Sequence, residues 1–172
     1  LIEVTIQSLW LDGTTNTPVV ILKELEGERI LPIWIGPGEA SAIATKLTGM
    51  EFSRPLTHDL LCSSIEVLGG SLERVVISRI EDSTYYAEIL ILRDGDLVSL
   101  DARPSDSIAL AFRFDTQIFA QDELLNLKSE YEVEKSHSSV ETLPDALTSM
   151  GPGELEERLR KLNPEDFGRF IP

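Results

Sequence analysis

Three strand patterns in the middle of the chain restrict its fold most, because the segments between them are too short for anything but antiparallel pairing. The patterns cover 72–80, 84–93 and 97–102. Glu81-Asp82-Ser83 joins the first two, and Asp94-Gly95-Asp96, a sequence typical of a tight hairpin, joins the last two. The sequence therefore predicts a three-stranded antiparallel unit at the centre of the protein.

The remaining patterns before residue 128 place helices and strands in groups rather than in strict alternation. Strand patterns cover 2–11, 18–22, 29–35 and 117–120, and helix patterns cover 36–49, 55–68, 107–114 and 122–127. Pro32 in the third strand indicates an edge or a bulge. In the second helix, one stripe contains Leu60, Leu61, Ile65 and Leu68. Such grouping favours an α+β fold, with a mixed or antiparallel sheet packed with helices.

The composition changes after Leu127, and this change divides the chain into three parts. Residues 1–127 are expected to form a single compact domain. Residues 128–153 are polar, lack a sustained hydrophobic period and end at Gly151-Pro152-Gly153, so they are interpreted as a linker or loose excursion. Residues 154–172 contain one short amphipathic pattern and are interpreted as a C-terminal helical appendage.

The single cysteine and the absence of long apolar runs are typical of a soluble intracellular protein. Cys62 excludes an intrachain disulfide, and its apolar helical neighbours predict a buried, inert thiol. No apolar run approaches the roughly 20 residues that span a membrane. The N-terminal residues 1–4 do not resemble a signal peptide, although the lack of a starting methionine means that at least one residue is missing. We expect a cytoplasmic protein.

The net charge of −15 argues against a nucleic-acid partner. Asp and Glu number 30, whereas Lys and Arg number 15. Proteins derive most of their affinity for nucleic acids from Lys and Arg that neutralise phosphates. An acidic surface repels polyanions unless a local basic patch or bound cations reverse the field. The charge therefore disfavours nucleic acid without excluding it, and no feature indicates membrane binding.

Two similar segments open the second and third helices. Residues 54–59 read Arg-Pro-Leu-Thr-His-Asp, and residues 103–106 read Arg-Pro-Ser-Asp. Free backbone N–H groups and the positive end of the helix dipole favour anions at a helix start. The planar fork of arginine fits phosphate oxygens. If the two segments converge, they form one phosphate-binding cleft, whose predicted residues are Arg54, Thr57, Arg103 and Ser105.

A structural role for the same residues is the competing interpretation. Thr57 and Ser105 are residue types that commonly cap helices. Asp59 and Asp106 can complement the helix dipoles, or pair with the arginines across a helix contact or a subunit interface.

His58 is the only histidine before residue 128. It could serve as a general acid, a general base or a metal ligand, or it could pack at the helix start. Adjacent helical residues point about 100° apart, so His58 and Asp59 do not form a dyad by themselves. The predicted catalytic residues are His58, Asp59 and Asp106. The second histidine, His137, is expected to be exposed to solvent.

Several carboxylates could assemble a divalent metal site. Mg²⁺ and Mn²⁺ bind one or two carboxylates together with water and substrate phosphates, and such ions can drive phosphodiester cleavage. A chain with 30 acidic residues offers many carboxylates by chance, so the identity of any cofactor is open. The predicted metal ligands are Glu39, Asp59 and Asp101, with Glu66 and Asp106 as further candidates.

Four sequence blocks resemble the bifunctional nuclease family. They are 16–20, 31–36 together with Glu39, 50–61 and 101–111, and they run in order through residues 2–127. The resemblance implies a compact α+β domain that forms homo-oligomers, with a dimer as the first expectation. It also implies DNase and RNase activity. The motif positions of the family that the resemblance assigns as candidate site residues in this chain are Glu39, Arg54, Thr57, His58, Asp59, Arg103, Ser105 and Asp106.

Two functions follow from these observations. The first is a phosphodiesterase acting on RNA or DNA, in which arginines hold phosphate, carboxylates hold a divalent ion and His58 transfers a proton. The second is a non-catalytic binding or regulatory module that uses the same arginines to anchor a protein or a small anionic ligand. The charge favours the second function, and the family resemblance favours the first.

Overall fold

Eight strands form one mixed sheet in the computed structural model, which describes residues 1–13 and 15–127. The strands are β1 (Ile2–Leu11), β2 (Pro18–Glu24), β3 (Arg29–Trp34), β4 (Gly70–Glu81), β5 (Thr84–Arg93), β6 (Asp96–Ala102), β7 (Ile118–Ala120) and β8 (Asn126–Leu127). The linker predicted at 128–153, the appendage predicted at 154–172 and His137 lie outside the described residues. None of the helices in the described part is long and apolar enough to cross a membrane.

The order of the strands in the sheet is β6-β5-β4-β7-β1-β2-β3-β8. Neighbouring strands are antiparallel except β4 and β7, which are parallel. The predicted antiparallel unit of β4, β5 and β6 is confirmed, and so is the α+β class with a mixed sheet. Pro32 lies on the stretch of β3 beyond the short β8, at an edge of the sheet, as its lack of an N–H predicts.

Three helices complete the described part of the chain: α1 (Pro37–Leu47), α2 (Thr57–Val67) and α3 (Pro104–Phe114). Proline opens α1 and α3, because its fixed φ suits a first helical turn and its missing N–H has no helical partner there. This explains why α3 begins at Pro104, three residues before the predicted start. The helix α2 begins two residues later than predicted.

The main core lies between the helices and one face of the sheet. It contains residues such as Ile43 of α1, Leu110 of α3 and Ile77 of β4, all completely buried. A second, smaller cluster on the opposite face joins Val19, Ile21 and Ile30 under the partly buried rings of Trp10 and Trp34. Each Trp therefore packs against this smaller cluster.

The prediction of a helix at 122–127 is wrong. A single 3₁₀ turn covers Asp122–Leu124, and the extended backbone of Leu125 then leads into β8. The reason is tertiary, since β8 gains backbone pairing with β3 at Arg29 and Ile30. A segment of six residues has too little helical propensity of its own to resist such pairing.

The apolar stripe predicted for α2 is largely exposed. Only Cys62 and Ile65 pack against the main core, whereas Leu60 and Leu61 are 60% and 44% exposed. No residue of α2 is fully buried. Burial raises the pKa of the half-buried Cys62 thiol to about 11, so the thiol is protonated at neutral pH and is a poor nucleophile.

Candidate active site

The first turns of the three helices meet at one place, because their side chains hydrogen-bond to one another. The third residue of each helix is acidic: Glu39 in α1, Asp59 in α2 and Asp106 in α3. Arg103, which precedes α3, donates from Nη1 to Glu39 Oε1 at 2.7 Å. His58 Nε2 lies 3.2 Å from Asp106 Oδ1. The two Arg-Pro segments thus converge through His58 and Asp106.

We call Glu39, His58, Asp59, Arg103 and Asp106 the cluster. Arg103 lies at its centre. It makes a bidentate contact with Asp106, from Nε to Oδ2 at 2.7 Å and from Nη2 to Oδ1 at 3.2 Å. Together with the bond to Glu39, this contact uses three of the five N–H donors of the guanidinium. The side chain is 66% exposed. Two donors therefore remain for an anion that approaches from solvent.

Asp106 determines which nitrogen of His58 can accept a proton. Burial raises the pKa of Asp106, but the hydrogen bonds from Arg103 and His58 outweigh it, so the pKa lies below its usual range. The carboxylate is therefore ionised at neutral pH and can only accept hydrogen bonds. His58 Nε2 must carry the proton in this contact, which leaves Nδ1 of the neutral ring as the basic nitrogen.

The lowered pKa of Asp106 predicts a pH-dependent stability. A carboxyl group whose pKa is lower in the folded protein stabilises the fold above its unfolded-state pKa of about 3.9, and this contribution is lost as the pH falls through the folded value. We expect Asp106→Asn to lose less stability than the wild type between about pH 5 and pH 2. Urea unfolding across this range measures the difference.

The control for this prediction is Asp101→Asn, which removes the same charge from an exposed position on β6. Its loss of stability with falling pH should match that of the wild type. Equal losses in all three proteins would show that the contacts of Asp106 do not contribute to stability.

Asp59 has a different set of partners from His58. Its Oδ2 accepts a hydrogen bond from the backbone N–H of Leu56 at 2.9 Å, and its Oδ1 accepts one from Arg113 Nε at 2.6 Å. The bond from Leu56 is the largest cause that lowers the pKa of Asp59, and Arg113 adds to it against the effect of burial. Asp59 therefore fixes the first turn of α2, while the adjacent His58 reaches Asp106.

Arg113 is the residue of this region that sequence reasoning missed. Its side chain is only 6% exposed, and its guanidinium also donates to the carbonyl oxygens of Ala109, at 2.9 Å, and Ala42, at 3.3 Å. It thereby links α1, α2 and α3 behind the cluster. The sequence did contain a signal for this role, because Arg113 is the one charged residue in the apolar pattern 107–114. An arginine that is buried in such a helix needs a carboxylate partner.

The other predicted phosphate-binding residues lie around the cluster without joining its hydrogen bonds. Arg54 is exposed and has no ion pair or side-chain hydrogen bond among the described residues. Thr57 is exposed at the first position of α2, and Ser105 is buried in the first turn of α3. Neither hydroxyl caps its helix, because the N-cap positions belong to Leu56 and Arg103, which make no side-chain cap bond.

The predicted metal ligands are not brought together. Glu39 binds Arg103, Asp59 binds Arg113, and Asp101 lies exposed on β6. Within residues 1–13 and 15–127, no group of three or more His, Cys, Asp or Glu side chains is arranged to hold a metal ion. Because arginine already occupies the carboxylates of the cluster, this donor set does not fit Mg²⁺ or Mn²⁺ as arranged.

Comparison with known proteins identifies a family and several relatives. The sequence model of the bifunctional nuclease domain matches residues 20–132. An uncharacterized protein of Mycobacterium tuberculosis, Rv1829, is 36% identical over 168 residues, which cover 96% of this chain and 97% of that protein. Bifunctional nuclease 1 of Oryza sativa subsp. japonica is 25% identical over 105 residues, and Bifunctional nuclease 2 of Arabidopsis thaliana is 26% identical over 98 residues. These matches cover 59% and 55% of this chain but only 32% and 30% of the plant proteins.

Proposed function

The chain belongs to the bifunctional nuclease domain family, and on this basis we propose that it hydrolyses phosphodiester bonds in RNA or DNA. The observation that carries the proposal is the contact between His58 and Asp106, beside an arginine with unused donors. The names of the plant relatives support the same class of reaction.

His58 is the residue that moves the proton in the proposed reaction. Nδ1 accepts a proton from the attacking water as its oxygen bonds to phosphorus and the ester P–O bond breaks. The same proton then passes from His58 to the leaving oxygen, which balances the reaction. Asp106 holds the ring through Nε2 and stabilises the imidazolium that forms, in the way that a carboxylate supports the histidine of a catalytic triad.

Arg103 and Arg54 are the proposed phosphate contacts. Arg103 offers the two N–H donors that its carboxylate partners leave unused, and the N-termini of three helices add positive potential at the same place. Arg54 is exposed four residues before His58, and we assign it to a neighbouring phosphate of the polynucleotide. Arg54 has no ion pair among the described residues, so its charge is what the proposal sets against the repulsion expected from a net charge of −15.

The proposed function is tested by comparing two aspartate variants in a cleavage assay. Labelled single-stranded RNA and double-stranded DNA are incubated with purified protein in Mg²⁺, Mn²⁺ or EDTA. We expect Asp106→Asn to slow cleavage on the order of 10²-fold, because His58 loses its orienting carboxylate. Asp101→Asn, which removes the same charge outside the cluster, should cleave at the wild-type rate.

Two outcomes of this assay would count against the proposal. Cleavage that is equal in all three proteins would indicate a contaminating nuclease. A lack of cleavage by the wild type under every condition would leave the non-catalytic alternative, in which the cluster binds a protein partner or a small anion.

The non-catalytic alternative has its own support in the ion pairs of the cluster. Glu39, Asp59 and Asp106 each already bind an arginine of the same chain, as a structural contact between helices would require. Fluorescence titration with labelled RNA at increasing salt separates the two functions. Binding that weakens strongly with salt, and that Arg54→Ala diminishes, supports the nuclease.

A further inference from the structure

Phe52 is the one aromatic residue in the described part of the chain that is exposed to solvent, and the other aromatic residues there are half-buried. Its exposed fraction is 53%, and that of Met50, two residues earlier, is 58%. Burial of a phenylalanine side chain contributes about 1.5–3 kcal/mol, and the fold uses only part of this contribution at Phe52. The ring therefore leaves apolar surface available to a ligand.

The connection between α1 and α2, residues 48–56, leads back to the cluster. Both helices begin there, because Glu39 and His58 hydrogen-bond to residues at the start of α3. The last residue of α1, Leu47, lies about 12 Å beyond Glu39 along the helix axis, so the connection has to return over this distance before α2 begins. Residues 48–55 are all exposed along this path. The connection is thus a solvent-facing surface that ends at the candidate site.

Arg54 lies between Phe52 and His58 on this connection. An extended backbone covers at most about 3.6 Å per residue, so the Cα atoms of Phe52 and Arg54 are no more than about 7 Å apart. Arg54 is exposed and has no ion pair among the described residues. Proteins that bind single strands combine aromatic rings, on which bases stack, with positive side chains that follow the phosphates. Phe52 and Arg54 supply one of each.

The local charge also suits a polyanion better than the charge of the whole chain does. Residues 46–56 contain two positive side chains, Lys46 and Arg54, and one negative side chain, Glu51, which gives a net charge of +1. The whole chain has a net charge of −15. The path to the cluster is therefore a part of the surface where repulsion of phosphate is relieved.

We propose that Phe52 stacks on an unpaired base of the polynucleotide whose phosphate Arg54 binds, so that the connection selects single-stranded RNA or DNA. The proposal rests on the proposed function and names the substrate class of the same site. Every base has a face on which an aromatic ring can stack, so the sequence of the strand matters little. In a duplex those faces are covered by the neighbouring base pairs, and Phe52 finds none.

The test measures binding of labelled single-stranded RNA, single-stranded DNA and the same DNA as a duplex by fluorescence anisotropy. The full-length parent protein carries His58→Ala, so that the strands remain intact. We expect the further change Phe52→Ala to weaken binding of both single strands about 5- to 100-fold, since one stacked base contributes about 1–3 kcal/mol. Binding of the duplex should not change.

Three further variants in the same parent distinguish stacking from a general apolar contact. Phe52→Leu keeps an apolar side chain without a π face and should bind single strands as weakly as Phe52→Ala, whereas Phe52→Trp should bind at least as tightly as the parent. Leu25→Ala is the matched control, because Leu25 is 55% exposed between β2 and β3, at the end of β3 opposite to α1. It should bind like the parent.

Three results would overturn the proposal. They are a parent that binds no single strand, a Phe52→Ala variant that binds like the parent, and a loss of binding that is equal for single strands and duplex. Binding by Phe52→Leu at the level of the parent would overturn stacking and favour an apolar contact, as with a protein partner.

Cleavage assays with His58 intact separate this proposal from the proposed function. A wild type that binds single strands through Phe52 without cleaving them would refute hydrolysis and support the stacking site. A wild type that cleaves RNA with a KM that Phe52→Ala leaves unaltered would support hydrolysis and overturn the stacking site.

Discussion

Replacing Arg113 with methionine is expected to lower the free energy of unfolding by about 2–4 kcal/mol. Methionine fills a similar volume but cannot donate to Asp59 or to the carbonyl oxygen of Ala42, so both lose a partner. The loss stays at the lower end for a buried ion pair because Asp59 is 41% exposed and can regain water. Urea unfolding of the wild type and the variant measures the change.

The matched control for Arg113 is Arg93→Met. Arg93 also pairs with a carboxylate, that of Asp94, but its side chain is 55% exposed. An exposed ion pair contributes about 0–1 kcal/mol, so the control should change stability by no more than that. Similar small changes in both variants would show that Arg113 does not hold the three helices together.

The replacement of His58 by alanine is expected to lower kcat for phosphodiester cleavage by about 10²–10⁴-fold. The variant loses the only basic nitrogen of the cluster but keeps Arg54 and Arg103, so KM should change much less. Initial rates with labelled single-stranded RNA measure both constants. Ser63→Ala, an exposed change on the same helix, is the control and should leave both constants unaltered. A fall in kcat shared by both variants would indicate damage to α2 instead of lost proton transfer.

The sequence predicted those parts of the fold that depend on local chemistry. The hairpin at Asp94-Gly95-Asp96 and the starts of α1 and α3 at proline depend on residues that are close in the sequence, and the structure contains all three features. The position of β8 was not predictable in this way. Its two residues form a strand only because β3 lies beside them, and β3 is about 100 residues away in the sequence.

The candidate site was also predictable only where its contacts depend on local sequence. The repeated Arg-Pro segments suggested one phosphate-binding cleft; the contact between His58 and Asp106 brings the two segments together, and the cleft itself stays a prediction. The partner of Asp59 could not be predicted, because Arg113 lies 54 residues later and only the packing of α2 on α3 brings them together. The exposure of Leu60 and Leu68 could not be predicted either, because a hydrophobic pattern locates an apolar stripe without showing what packs against it.

The most direct test of the account is RNA cleavage by four proteins purified identically: the wild type, His58→Ala, Asp106→Asn and the double variant. If Asp106 acts through His58, the double variant should show the kcat of His58→Ala, within about twofold, since the two residues form one unit. Asp106 also binds Arg103, so any effect on phosphate binding should appear in KM. Rates that are equal in all four proteins, or losses that multiply in the double variant, would contradict a shared proton-transfer unit at the starts of α2 and α3.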